Sequence, residues 1–349
     1  MPMTSSRTEL PDKDRPKWMP TSALGTYALQ RALHSEKMAR IVHERLTEPL
    51  HLNLLSAFVA IFGKFEHKIA FDLIVRQQFA FSILEAAKQA ASVGIRKITV
   101  VEFGVAAGAG LLNMCAIASR VVRATGVQVD VFGFDTGRGM PPAIDYRDHP
   151  EHWQEGDFPI DLPRLKAALP PFAHLLIGDV EETIPDFLEK LSPDAPLGFV
   201  SLDVDYYSSA KKALEVFKTT SSKYLPVVLL YLDDIVTDTA NPWCGENLAV
   251  REFNQETELR KISAFAFLRS KRIFKNARWI DQIYLVHILD HDTRSPKIRR
   301  GISVIPNEYI GVKRPHEPPP HPSTLPGSTK LNNELNSTLG AATVAENKE

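Results

Sequence analysis

Residues 98–110 read ITVVEFGVAAGAG. The first half is apolar and β-branched, the composition of a strand buried on both faces. Glu102 closes that strand, and Gly104, Gly108 and Gly110 follow. Residues 111–124, LLNMCAIASRVVRA, then place apolar side chains at helical spacing. Strand, glycine turn and helix is the layout of a nucleotide-type cofactor site. Glycine lets the backbone approach a ligand, and the helix N-terminus offers unpaired N–H groups. The spacing here is E-x-G-x-x-x-G-x-G, neither the G-x-G-x-x-G of dinucleotide sites nor the G-x-x-x-x-G-K-[ST] of phosphate loops. A tight turn in another Rossmann-like protein would fit the same residues.

Outward from this stretch, strands and helices alternate. Strands are expected at 127–135, 173–179, 198–205, 226–234, 262–268 and 282–289, and helices at 162–169, 181–191, 206–218 and 245–261. The pattern predicts an α/β fold with a doubly wound, mainly parallel, seven-stranded sheet. Upstream, 21–95 reads as a helical segment. Its last helix, over 71–91, puts Leu73, Phe79, Ile83 and Ala87 near one face, with Arg76 and Gln77 either near a pocket or solvated. The domain itself is expected over 96–294. Polar residues 1–20 and the Pro-, Ser- and Asn-rich stretch 295–349 are expected to be disordered. Between the second strand and the helix at 162 lies a loop of more than twenty residues, a length that usually signals function or disorder.

The chain has 349 residues, a formal net charge of −1 and no basic field that would attract nucleic acid. Two cysteines, Cys115 and Cys244, are too few for a disulfide framework and suit a reducing compartment. The N-terminal residues lack a signal-peptide apolar core, and no apolar run is long enough to span a membrane. A cytoplasmic protein without a membrane partner is the expectation. Homodimerisation stays open.

Four expected strands end in acids: Asp135, Asp179, the pair Asp203 and Asp205, and the pair Asp233 and Asp234. Ligands of open α/β sheets bind beyond the carboxyl ends of the strands. A single acid there is often a helix N-cap. Asp135 stands where it could accept from two ribose hydroxyls, and Asp179 where it could face an adenine amino group. Asp203, Asp233 and Asp234 should lie on neighbouring strand ends. Three carboxylates so close repel unless a cation separates them, and all-oxygen ligands point to Mg²⁺. The alternative is that one carboxylate is protonated or turned away. His149 and His152 (HPEH) have ligand-like spacing but are expected to face solvent.

The glycine motif resembles the first motif of class I S-adenosylmethionine-dependent methyltransferases, whose loop passes under the methionine part of the cofactor. GFDTGRGMP, GDF, FVSLDVDYYSSAKKALEVFK, LDD and WCGENLAVREFNQ, in this order, are similar to the macrocin O-methyltransferase (TylF-like) family. The likeness spans about 98–255. It implies a Mg²⁺-dependent O-methyltransferase acting on a hydroxyl of a sugar or other small polar metabolite. It further implies cofactor contacts at Glu102, Gly104, Gly108, Gly110, Asp135 and Asp179, metal ligands at Asp203, Asp233 and Asp234, and a general base at Asp205. Two features depart from the family: SSKYLPVV replaces a Pro-Gly-Gly turn, and Gly137 and Arg138 replace an aromatic and an acid. Rival readings are a methyltransferase for protein or another small molecule, a non-catalytic cofactor-binding protein, and a metal-dependent hydroxylase or hydrolase. The last would need extra His ligands near the acids, and the sequence offers none there.

Overall fold

The computed structural model describes residues 43–237 and 239–296. The expectations for 1–20 and for nearly all of 295–349 lie outside them. Helices α1 (Leu50–Phe62), α2 (Phe65–Ala70) and α3 (Gln77–Ser92) lead into β1 (Lys97–Phe103). Then follow α4 (Ala109–Thr125), β2 (Gln128–Asp135), α5 (Leu162–Ala168), β3 (Ala173–Ile177), α6 (Val180–Lys190), β4 (Leu197–Leu202) and α7 (Tyr207–Ala213). The chain continues through β5 (Tyr224–Leu232), α8 (Gly245–Glu256), β6 (Arg260–Ala264), α9 (Leu268–Lys271) and β7 (Ile283–Ile288). The sheet has seven strands in the order β3-β2-β1-β4-β5-β7-β6. β1 to β5 pair in parallel, and β7 runs antiparallel between β5 and β6. This is the expected Rossmann-like α/β sheet.

Alternation along the strands divides the core in two. On β1, Ile98 and Val100 join α3 and α4 on one face, where Phe79, Ile83, Leu111 and Met114 are buried. Val101 and Phe103 face the other side, against Ile184 and Phe187 of α6, Ala210 of α7 and Phe253 of α8. α3 is thus part of the layer that covers the sheet. On α1, by contrast, Leu50, Leu54, Phe58, Ile61 and Phe62 are exposed, although the helix carries no charged residue. Among the described residues, no helix is long and apolar enough to cross a membrane.

Several element ends differ from the sequence expectation. The helix expected from 71 begins at Gln77, because Asp72 and Arg76 both adopt positive φ. Arginines far along the chain hold that stretch open: Arg45 donates to the carbonyls of Phe71 and Asp72, and Arg272 donates to those of Ile69 and Ala70. The helix expected over 206–218 is α-helical only to Ala213 and tightens into a 3₁₀ turn at Leu214–Phe217. The last long helix stops at Glu256, and β6 starts at Arg260 and ends at Ala264, earlier than the expected 262–268. There the Asn254 side chain accepts from the Ile262 N–H and donates to its carbonyl, which turns the chain directly into the strand.

Candidate active site at the carboxyl edge of the sheet

Strand register assembles the site. Phe103 pairs with Leu202 and Leu202 with Leu232, so the residues after them leave the sheet at one level. The ladder continues one step further: Asp203 N–H donates to Phe103 O and Asp233 N–H to Leu202 O, both at 3.1 Å. Gly104 follows Phe103 with φ of +84°, and a Cβ on it would sit 1.7 Å from the backbone oxygen of Asp203. Only glycine lets the loop after β1 press against the end of β4 in this way. Gly108, also at positive φ, caps the N-terminus of α4 and lies against Leu165.

Glu102 lies beneath the loop. It is 2% exposed, and a Cβ on Gly110 would fall 1.9 Å from its Oε1, so the missing side chain of Gly110 makes room for the carboxyl group. Oε2 has no partner. Burial, reinforced by Asp135 and opposed by Arg76, pushes this carboxyl up to about 8. Asp135 faces inward too. Its Oδ2 accepts from the N–H groups of Val105 (3.1 Å) and Ala106 (2.8 Å), and its Oδ1 from Gly137 (2.7 Å). The acid expected to face a ribose thus braces the glycine loop. Asp179 is the N-cap of α6, accepting from Glu181 N–H at 2.8 Å, and its half-exposed carboxylate pairs with Lys212 at 3.2 Å. The local N-cap role weighed from sequence is the contact it makes here.

The remaining acids converge. Carboxylate oxygens of Asp203, Asp205 and Asp234 all lie within 4.8 Å of one another. Asp233 is next to them, but its Oδ1 accepts from the Tyr231 hydroxyl. The expected ligand trio is therefore drawn together with one exchange: Asp233 turns to a tyrosine, and Asp205 takes its place in the cluster. Asp205 sits at φ +58°, a region costly for most residues but tolerated by Asp. Burial first, then the charge of Asp234 and a hydrogen bond to it, push Asp205 up to about 8. Asp234 is raised to about 6 by burial and Asp233. Asp203 is raised well above its ordinary value by burial, then by Asp233, Asp205 and Asp234.

Sequence reasoning assigned no role to two further acids. Glu246, in the first turn of α8, is 2% exposed; its Oε2 accepts from Asp234 N–H at 3.1 Å, while Oε1 has no partner. It sits in the WCGEN motif, whose position just beyond the last acidic strand end was the available signal. Asp148, 1% exposed, accepts from Ile144 N–H, Ser208 N–H and Ser208 Oγ at 2.8–3.0 Å. It pins the long loop to the start of α7. That anchor also corrects the expectation for His149. With φ of +53°, its ring turns inward, its side chain is 13% exposed, and its Nδ1 lies 3.0 Å from Glu151 Oε1.

A hollow of about 280 Å³ opens over the cluster, lined by His149, Trp153, Asp205, Asp234, Cys244 and Glu246 among others. A larger one of about 590 Å³, at the β3 edge beside Lys166, His174 and Lys190, contains none of the strand-end acids and is remote from this chemistry.

No protein-family model matches the chain, and no curated protein matches it. Solved structures do. The chain is similar to a calicheamicin methyltransferase, 22% identical, covering 65% of this chain and 88% of that one, with a TM-score of 0.39. It is similar to an SAH-bound methyltransferase from Podospora anserina, 12% identical, covering 74% of this chain and 97% of that one, with a TM-score of 0.33. It is also similar to the MycE methyltransferase of the mycinamycin pathway, in complex with Mg, SAH and mycinamycin VI, 11% identical, covering 55% of this chain and 45% of that one, with a TM-score of 0.30.

Proposed function

We propose that this chain is an S-adenosylmethionine-dependent O-methyltransferase that uses a divalent cation, with Mg²⁺ the ion that suits it. The observation that carries this reading is the packing of Gly104 against the Asp203 backbone, which joins a glycine loop directly to a cluster of three carboxylates. A donor cofactor lying on the loop would have its reacting end beside the acids.

The residues suit a hard cation. Asp203, Asp205 and Asp234 offer only oxygen, and Asp234 Oδ2 is buried without a partner. Asp203 and Asp234 would hold the ion, with Asp233 alongside. S-adenosylmethionine supplies the methyl group, and the cation supplies positive charge that acidifies an acceptor hydroxyl. Asp205 would receive that hydroxyl's proton once a bound cation keeps the cluster ionised; its left-handed backbone places the side chain along the hollow. Trp153 and the long loop flank the same hollow and keep the acceptor in place. Its volume of about 280 Å³ suits one polar ring, such as a sugar.

Calorimetric titration of the metal-stripped protein with S-adenosylmethionine, with NAD⁺ as control, tests the cofactor. Binding of the first alone is expected, and methyl transfer to hydroxylated acceptors should then need Mg²⁺. Asp203→Asn and Asp234→Asn should each lower that transfer at least about a hundredfold while cofactor affinity stays within about threefold. Failure to bind S-adenosylmethionine under any condition would overturn the reading.

A further inference from the structure

We propose that His149, Glu151 and His152 form a second metal site, distinct from the acidic cluster, that takes a transition ion of the Zn²⁺ or Co²⁺ type. One ligand atom from each of the three residues lies within 4.8 Å of the other two. Glu151 Oε1 is 3.0 Å from His149 Nδ1 and 3.7 Å from His152 Nε2. Two donors at about 2.05 Å from a tetrahedral Zn²⁺ are about 3.3 Å apart, so the two separations from Glu151 bracket the spacing that such an ion needs, and the third lies within 4.8 Å. The two rings are 5.5 Å apart and inclined by 30°.

The triad is also held. Just before it, Asp148 is buried and takes three hydrogen bonds from Ile144 and Ser208. Just after it, the carbonyl of Trp153 accepts from the Tyr206 hydroxyl at 3.3 Å. Between these anchors the His152 N–H donates to the His149 carbonyl at 2.9 Å, and His149 adopts a positive φ uncommon outside glycine. Both ends of the six-residue segment 148–153 are thus fixed, at Ser208 and Tyr206 around the start of α7, which positions ligands far better than a free loop does.

Donor chemistry separates the two sites. Two imidazoles and a carboxylate select a borderline ion, whereas the all-oxygen cluster of Asp203, Asp205 and Asp234 selects a hard one. Three protein donors leave a fourth position for water. Since His149 and His152 line the same hollow as Asp205 and Asp234, an ion there would fasten the loop over the acceptor site.

Titrating metal-stripped full-length protein with Co²⁺ in excess Mg²⁺, followed by visible absorption, tests it. One Co²⁺ should bind with the spectrum of nitrogen ligation, and Zn²⁺ should displace it. Its affinity should fall at least about tenfold in His152→Ala, at an exposed position, and in His149→Asn, since Asn tolerates the same backbone. It should persist in Asp203→Asn/Asp234→Asn. Absence of Co²⁺ binding to the native protein would overturn the proposal. So would binding that survives both His changes and vanishes with the two aspartates.

Discussion

Gly104 shows how much one missing methylene-sized group decides. Its φ of +84° is unfavourable for any L side chain, and a Cβ there would lie 1.7 Å from a backbone oxygen, which cannot swing aside. Gly104→Ala is therefore expected to cost on the order of 3 kcal/mol or more. Chemical denaturation of the purified variant reads this directly; a loss under about 1 kcal/mol would mean that the loop relaxes away from β4. Gly110→Ala meets a side chain instead, the buried carboxyl of Glu102, and should cost less. At this scale the sequence revealed the acids and glycines by residue type and position. It could not reveal orientation. That Asp233 turns to Tyr231, that Asp135 braces its own loop, and that Glu246 reaches Asp234 all depend on tertiary placement of side chains rather than on spacing.

Elements were legible where their periodicity is unbroken, as in α4 and the buried strands. They were not legible where a distant side chain overrides local preference. The stretch 71–76 has a helical pattern, yet Arg45 claims the carbonyls of Phe71 and Asp72, and Asp72 forms a buried pair with Arg272 at 2.6 Å. No window of sequence contains both partners. The long loop after β2 is a similar case, since its order rests on Asp148 meeting Ser208, sixty residues further on. Asp148→Asn puts an amide N–H₂ against groups that already donate. The change should destabilise by about 1–3 kcal/mol and loosen the loop specifically. Limited proteolysis should then cut first between residues 140 and 160, and acceptor KM should rise while S-adenosylmethionine affinity holds. Cleavage that starts elsewhere would show that the loop is fixed by other contacts.

For the molecule as a whole, gathering acids at one sheet edge ties stability to pH. Without a cation, burial and mutual repulsion raise Glu102 and Asp205 to about 8 and Asp234 to about 6, and push Asp203 and Glu246 upward as well. A carboxyl raised in the folded state keeps its proton where the unfolded chain has lost it. The folded protein therefore binds more protons than the unfolded chain, and its stability falls with rising pH. That stability is fully present below the ordinary carboxylate range and is lost as pH climbs through about 6 to 8. The melting temperature in chelator should drop steadily between about pH 5 and pH 8. A cation that binds only the folded, ionised cluster reverses the loss, so millimolar Mg²⁺ should raise the melting temperature at pH 8 and barely change it at pH 5. Groups lowered by burial, such as His287, act in the opposite direction. Comparison with Asp205→Asn cancels them, because that change keeps the left-handed backbone and removes one titrating group. In chelator the variant should melt higher than the native protein at pH 8, by a margin that shrinks as pH falls and closes only below about pH 4. It should also lack methyl transfer, the sign of a site held at the expense of fold stability. If the two melting curves stay parallel across the whole pH range, the carboxyl group of Asp205 is not buried against its neighbours in solution, and the cluster is looser than this geometry.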